Sequence, residues 1–209
     1  MLVKRQFSLN QKLKNSNIEK KIILNISLIC IAGLIIRFYY TPFGIPVSFD
    51  GFTGYFLYTL DISILGHLPN YTLSQSGWSE FLSLFFMNFH SENLIDYTDM
   101  QRTISVILSG ITVIPIYFIC KKFFNNYYSL IGATIFAFEP RIILNSTLGV
   151  SEPLYILAIS LGVLLFLNLN KKIIYLSFGF FGWATIIRPE GQFWFVAFSV
   201  IYFLRFRKN

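Results

Sequence analysis

Acidic and basic residues interrupt the apolar sequence of this chain at a few places where their side chains can do chemistry. A carboxylate can take a proton from an attacking hydroxyl group, and an arginine can bind phosphate oxygens. Because ionisable groups beside apolar segments are costly, those that occur there tend to be paired or functional. The residues concerned are Asp50, Glu139, Arg141, Glu152, Arg188 and Glu190. They predict one polar site with acid–base and anion-binding groups.

Asp50 lies in the sequence Pro-Val-Ser-Phe-Asp-Gly-Phe at residues 46–52. A carboxylate among aromatic side chains is a candidate general base. The alternative is that Asp50 caps a helix that begins at Phe52, because Asp is a favoured N-cap residue. The sequence leaves both interpretations open.

Glu152 lies in Gly-Val-Ser-Glu-Pro-Leu-Tyr, at the start of an apolar segment. Ser151 is suited to cap a helix, which would place Glu152 in the first turn, where Pro153 is tolerated. This structural explanation accounts for the local sequence. It does not account for a carboxylate at the edge of an apolar segment, so Glu152 is also a candidate site residue.

Two short motifs place arginine close to proline and glutamate. In the first, Glu139 and Arg141 either neutralise each other or leave Arg141 to bind a phosphate. The proline between them disfavours helix at the residue that precedes it. The second motif is either a tight turn or a pair, Arg188 and Glu190, that faces the same polar site as the other candidates.

Apolar segments dominate the composition and must position these residues. The chain has 209 residues, of which 55% are hydrophobic and 13% are charged, whereas soluble domains are about 25% charged. These values exclude a disordered chain, a basic DNA-binding domain and a secreted disulfide scaffold, and they predict an all-α polytopic membrane protein. About six transmembrane helices are expected, at residues 22–40, 103–120, 127–147, 153–168, 173–187 and 192–204.

The basic residues predict how these spans are oriented, because cytoplasmic connections are enriched in Lys and Arg. With the N-terminus inside, residues 1–21, the turns at Lys121-Lys122 and Lys171-Lys172, and the tail 205–209 are cytoplasmic. Every Lys is then inside, and every acidic residue except Glu19 lies on the outer half. We therefore expect a multi-pass plasma-membrane protein with cytoplasmic termini. The net charge of +7 reflects this topology and not a nucleic-acid partner.

Residues 41–101 form a long extracytoplasmic loop in this topology, within a single transmembrane domain of residues 22–204. Two stretches of the loop, Phe52–Leu65 and Trp78–Phe89, mix aromatic and polar residues. They are predicted to be amphipathic helices at the membrane interface. The two histidines of the loop lack the spacing of a metal site, and no glycine-rich phosphate loop is present in the sequence.

The order of these motifs resembles the N-terminal membrane part of the GT-C superfamily of glycosyltransferases. The branch it is most similar to contains the protein O-mannosyltransferases and the lipid A aminoarabinose transferases. The resemblance runs from about residue 22 to residue 204. It comprises a basic N-terminus, one span, an acidic residue that opens a long outer loop, Arg102 before the second span, Ser-Glu-Pro-Leu-Tyr155 and Ile-Arg-Pro-Glu-Gly191.

The resemblance implies an enzyme that moves a hexose or pentose from a polyprenyl- or dolichyl-phosphate carrier to an acceptor at the extracytoplasmic face, with inversion at the anomeric carbon. By motif position Asp50 is the catalytic base, and Glu152 orients the acceptor or holds a cation. Arg188 corresponds to a basic position near the carrier phosphate, with Glu190 in the same substrate-binding group. Arg141 is added from its charge and placement. No cofactor is fixed, and a divalent cation is the one candidate left open.

Other interpretations stay open at the level of the sequence. The chain can be a non-catalytic membrane subunit, a fragment or a small transporter component, and a second chain can supply further helices to an enzyme. A transporter typically places polar residues near the bilayer midplane. In this chain they gather at one predicted face, which favours the enzyme.

Overall fold

The computed structural model describes residues 2–71 and 75–207, and it describes side chains from residue 20 onward within those ranges. All regular secondary structure in the described part is helical, which confirms the predicted all-α class. The helices are α1 (Leu2–Tyr40), α2 (Phe49–Gly51), a π-helical segment (Phe52–Phe56), α3 (Leu57–Leu65), α4 (Gly77–Phe86), α5 (Leu94–Ile111), α6 (Val113–Lys121), α7 (Asn126–Phe138), α8 (Pro140–Thr147), α9 (Glu152–Phe166), α10 (Lys171–Ile187) and α11 (Gly191–Phe206). The predicted basic side chains before residue 20, and the last two residues of the predicted tail, lie outside this description.

Among the described residues, two helical stretches are long and apolar enough to cross a membrane. They are Lys20–Tyr40 in α1 and Leu94–Lys121, which joins α5 to α6. The helices α9 and α11 are apolar but shorter. The predicted third span is divided, because α7 ends at Phe138 and α8 begins with proline. Glu139 between them is extended, as expected for a residue that precedes proline.

The predicted loop helices are present, but one of them is more deeply packed than an interfacial helix. In α4 the side chains of Trp78, Leu82 and Phe86 are almost completely buried. Trp78 and Leu82 belong to a core shared with α5, α9 and α10. The segment of residues 41–101 therefore forms part of the main core, and its helix α4 packs against α9 and α10.

The helices α9 and α10 make the most extensive contact in this core. Phe181 of α10 is fully buried and lies against Gly162 of α9. A Cβ atom at Gly162 would lie 2.6 Å from the Phe181 ring, so only glycine fits there without rearrangement. This packing fixes the start of α9 relative to the end of α10, which is where two of the candidate site residues lie.

A second core joins α1, α6 and α7 and consists of the buried residues Ile26, Val113, Tyr117, Ala133 and Ala137. Two of these are alanines, which allow helix backbones to approach closely. The α1 helix also packs against α5 and α8.

Candidate functional site

A cavity of ≈ 380 Å³ opens beside the first residues of α9. Its volume falls within the range of about 300–1,000 Å³ that is typical of small-molecule sites. Its lining comprises Asp50, Thr53, Gly54, Tyr55, Gln75, Val150, Glu152 and Arg188. Three residues that the sequence singled out from separate connections, Asp50, Glu152 and Arg188, thus line one cavity. Their catalytic roles stay predictions.

Asp50 is an exposed residue in the first turn of α2. The cap of this helix is Ser48, whose Oγ accepts a hydrogen bond of 3.2 Å from the Gly51 backbone N–H. The alternative interpretation of Asp50 as a capping residue is therefore wrong. The Asp50 carboxylate has no ion pair or hydrogen bond with the described residues, which leaves it open to a ligand in the cavity.

Glu152 lies in the first turn of α9, as the sequence predicted. Ser151 occupies the cap position, but its hydroxyl makes no capping bond to the helix. It is instead hydrogen-bonded to the hydroxyl of Tyr55 at 3.0 Å. Glu152 Oε1 accepts a 2.5 Å hydrogen bond from Arg188 Nη1, whereas its Oε2 is buried without a partner in the described part of the chain.

The Arg188 guanidinium is held by two carboxylates. In addition to the bond to Glu152, its Nε donates to Glu190 Oε2 at 3.2 Å and its Nη2 donates to Glu190 Oε1 at 3.0 Å. Its carbon lies 5.9 Å from the centre of the Tyr155 ring. All three guanidinium nitrogens therefore already have carboxylate partners, and the Arg188 side chain has a fixed orientation.

Glu190 does not line the cavity but accepts hydrogen bonds from Arg188 outside it. Its side chain is 52% exposed, compared with 31% for Glu152. The hydrogen bonds from Arg188 lower the pKa of the Glu190 carboxyl, and the same bonds raise the pKa of Arg188. Both groups are consequently charged at neutral pH while they are paired.

Arg141 lies outside the cavity. It is exposed in the first turn of α8, and it is absent from the cavity lining. The alternative that Glu139 neutralises it is not observed, because these two side chains form no ion pair within the described residues. The structure thus does not bring Arg141 together with the other candidates.

Several lining residues were not identified from the sequence. Tyr55 donates a 3.3 Å hydrogen bond to Gln75 Oε1, and both side chains face the cavity with Thr53. Tyr55 lies five positions after Asp50 on a π-helical segment, which widens the helical turn. No sequence signal pointed to Gln75, because its approach to Tyr55 depends on the fold of the outer loop.

The loop that carries Asp50 and the loop that carries Glu152 touch directly. Ser48 Oγ donates a 3.0 Å hydrogen bond to the Leu148 carbonyl. At Gly51 a Cβ atom would lie 2.9 Å from that same oxygen and 3.2 Å from the carbonyl oxygen of Gly149. These are backbone atoms that cannot move aside cheaply, so glycine is required at residue 51 for the two loops to meet.

We expect the Gly51→Ala protein to be less stable than the wild type by about 1–3 kcal/mol, the cost of overpacking a close contact. The matched control is Gly54→Ala, since a Cβ atom there meets nothing within 4 Å. Thermal unfolding of the purified proteins in detergent measures the difference. Equal midpoints for the two variants would show that the loops are not in such close contact.

The divalent cation that the sequence left open finds no suitable ligand set. Within the described residues, no group of three or more His, Cys, Asp or Glu side chains is placed to hold a metal ion. In the cavity, one oxygen of Glu152 is already taken by Arg188. The described residues therefore supply no metal site of three or more such side chains, and the proposed reaction is written without a metal.

Comparisons of the chain with protein-family models, with curated proteins and with solved structures gave no match.

Proposed function

We propose that this chain is a multi-pass membrane glycosyltransferase that moves a sugar from a polyprenyl- or dolichyl-phosphate carrier to an acceptor at the extracytoplasmic face. The observation that carries this proposal is the cavity in which Asp50, Glu152 and Arg188 meet, with the Asp50 carboxylate unengaged. A base, a fixed cation and an open space between them are the groups that such a transfer needs.

The apolar surface of the helices supports placement in a membrane. Of the residues in α11 only Gly191 is buried. Phe193, Phe203 and Leu204 are 78%, 64% and 64% exposed. Monomeric soluble proteins rarely expose apolar patches of this kind, so this surface fits a lipid environment. We assign the six predicted spans to α1, α5–α6, α7–α8, α9, α10 and α11, of which α1 and α5–α6 contain the stretches long and apolar enough to cross a membrane.

The α10 helix supports the proposed orientation. It begins at Lys171 and ends before Arg188, and its 17 residues span about 25 Å at about 1.5 Å per residue. The lysine turn and the cavity therefore lie at opposite ends of this helix. If lysine-bearing turns face the cytoplasm, the cavity faces outward, where a lipid carrier can present its sugar.

The proposed reaction assigns one role to each of the three ionisable residues that line the cavity. Asp50 takes the proton of the acceptor hydroxyl as its oxygen attacks the anomeric carbon. The bond from that carbon to the phosphate oxygen breaks, the carrier phosphate leaves, and the configuration inverts. Arg188 stabilises the charge on the departing phosphate. Glu152 holds Arg188 in position through their 2.5 Å hydrogen bond.

Binding of the phosphate requires Arg188 to release one of its carboxylates. Glu190 is the better candidate because it is the more exposed of the two and lies outside the cavity. Arg188 would then keep its hydrogen bond to Glu152 and replace its two hydrogen bonds to Glu190 with bonds to phosphate oxygens. Phosphate oxygens match the fork geometry of a guanidinium as well as a carboxylate does.

The activity itself is tested with labelled donors. Membranes containing the protein are incubated with dolichyl- and undecaprenyl-phosphate carrying radiolabelled mannose or glucose, and label in protein, lipid and glycan acceptors is counted. We expect incorporation that depends on the protein and on one of these donors. Incorporation no greater than in membranes without the protein, for all four donors, would contradict the proposal.

The proposed topology predicts opposite accessibility for two single cysteines. In a background with Cys30→Ala and Cys120→Ala, the His67→Cys protein should react with a membrane-impermeant maleimide on intact cells. The Lys171→Cys protein should react only after permeabilisation, because its turn lies on the cytoplasmic side. Equal labelling of both positions from outside would overturn the orientation and with it the outward-facing cavity.

A further inference from the structure

Arg102, in the middle of α5, is buried and is bound almost entirely by backbone carbonyls. Only 2% of the residue is exposed. Its Nη1 and Nη2 each donate a 2.5 Å hydrogen bond, to the carbonyls of Ile45 and Pro46 respectively. Its Nε donates to the Thr147 carbonyl at 3.2 Å. The contact with Asp99 on its own helix is longer, at 3.4 Å.

These carbonyls belong to the two segments that carry the cavity carboxylates. We define the first acidic segment as residues 45–51, with Asp50, and the second acidic segment as residues 147–152, with Glu152. Arg102 therefore holds both segments with one guanidinium. Since that group has five donors in a rigid plane, it fixes the spacing of the carbonyls that it binds.

The neighbouring residue, Gln101, also joins the first acidic segment to the second. It is fully buried, and its Nε2 donates to the carbonyl of Gly51 at 3.3 Å and to that of Gly149. These carbonyls belong to the first and the second acidic segment. Its Oε1 has no partner among the described atoms. Burying an unpaired amide oxygen is unfavourable, so an apolar side chain would suit this position better if packing were its only role.

Arg37 shows what a buried arginine does elsewhere in the same fold. It is fully buried and donates to the carbonyls of Gly33 and Ala137 and to Ser109 Oγ, at 3.0, 2.7 and 3.0 Å. These groups lie on α1, α7 and α5, away from both acidic segments. Arg37 and Arg102 therefore share burial and carbonyl bonding but differ in whether they touch the cavity-bearing loops.

We propose that Gln101 and Arg102 are positioning residues that hold Asp50 and Glu152 at the separation needed for sugar transfer. The proposal rests on the function proposed above. Neither side chain lines the cavity, so each acts through the backbone that it binds. Because the guanidinium and the amide are desolvated, their hydrogen bonds are strong and intolerant of displacement. The two carboxylates are thereby held on a rigid frame.

A displacement of about 1 Å at a reacting group can cost about 10²-fold in rate. Gln101→Met keeps the size of the side chain but removes its donors. We expect this variant to lower kcat by about 10- to 100-fold, with the KM for the lipid donor within about threefold of the wild-type value. If the substitution only lowered stability, less of the protein would be folded, but kcat per folded molecule would stay at its wild-type value.

The closing experiment measures the separation of the segments without relying on activity. Spin labels are attached at Phe49→Cys, an exposed position within the first acidic segment, and at Leu144→Cys, an exposed position three residues before the second, in the background that lacks Cys30 and Cys120. The distance distribution between the labels is recorded by double electron–electron resonance. It is compared for the otherwise wild-type protein and for Gln101→Met, Arg102→Met and the matched control Arg37→Met.

We expect a broadened or shifted distribution for Gln101→Met and Arg102→Met and an unchanged one for Arg37→Met. Gln101→Met carries the test if Arg102→Met does not fold. An unchanged distribution in the Gln101 variant, or equal broadening in the Arg37 variant, would overturn the positioning role. If the expected pattern is found but the wild-type protein transfers no sugar, the positioning inference holds and the proposed function fails.

Discussion

In membranes that contain the Asp50→Asn protein, sugar transfer from a polyprenyl-phosphate donor is expected to fall by about 10²- to 10⁴-fold, the usual contribution of a general base. The amide is nearly the same size as the carboxylate but cannot accept a proton at neutral pH. Because the Asp50 side chain has no ion pair among the described residues, its replacement should leave folding intact. Initial transfer rates normalised to protein abundance measure the effect.

The matched control is Asp96→Asn, another exposed carboxylate of the outer loop. Asp96 lies in the first turn of α5, accepts a hydrogen bond from Ser91 and does not line the cavity. It should retain transfer within about twofold of the wild type, since surface substitutions away from special features usually have small effects. Unchanged transfer in the Asp50 variant would remove that residue from the mechanism.

The second large effect is expected at Arg188. Arg188→Gln removes the only cation that lines the cavity within the described residues and leaves Glu152 Oε1 without its partner. Loss of a group that stabilises developing charge typically costs about 10²- to 10³-fold in kcat, and we expect a decrease of that size. Steady-state kinetics with the lipid donor, at equal amounts of folded protein, give kcat and KM separately.

Glu190→Gln tests whether phosphate replaces this carboxylate. Because the variant removes a charged competitor for the guanidinium, we expect the KM for the donor to fall or stay unchanged while kcat remains within about tenfold of the wild-type value. Glu92→Gln, at an exposed residue of the outer loop, is the control. A donor KM raised tenfold by Glu190→Gln would show that Glu190 helps to bind the donor.

For the Arg188→Gln variant, a kcat equal to that of the wild type would exclude Arg188 from the phosphate role.

The sequence predicted which residues lie at the ends of the helices. Glu152 and Arg188 adjoin apolar segments and prolines, so their places follow from local rules for where a helix begins or ends. The extended residue Glu139 before α8 follows from the same rules. Local patterns also gave the helical class and the approximate bounds of the loop helices.

Local sequence rules did not predict how these residues pair with one another. The sequence offered Asp50 as a cap and Glu139 as the partner of Arg141, and the structure has neither. Ser48 fills the cap because its hydroxyl, one position before α2, can also reach the Leu148 carbonyl. That second contact comes from a loop 100 residues further along the chain, so no short sequence window contains it.

By itself the sequence determined an all-helical chain rich in apolar residues, and the acids and arginines that stand near proline at the ends of its apolar segments, because hydrophobic periodicity and proline act over a few residues. It did not predict that α5 begins at Leu94, inside the predicted loop, or that the predicted third span is divided. The tertiary structure alone decided that Arg188 is shared by Glu152 and Glu190 while Asp50 is unengaged. It also decided that Gln101 and Arg102 join the two acidic segments. Apart from the Arg188–Glu190 pair, whose residues are two positions apart, these contacts depend on directional hydrogen bonds between residues 36 to 57 positions apart, and their partners are set by how the helices pack.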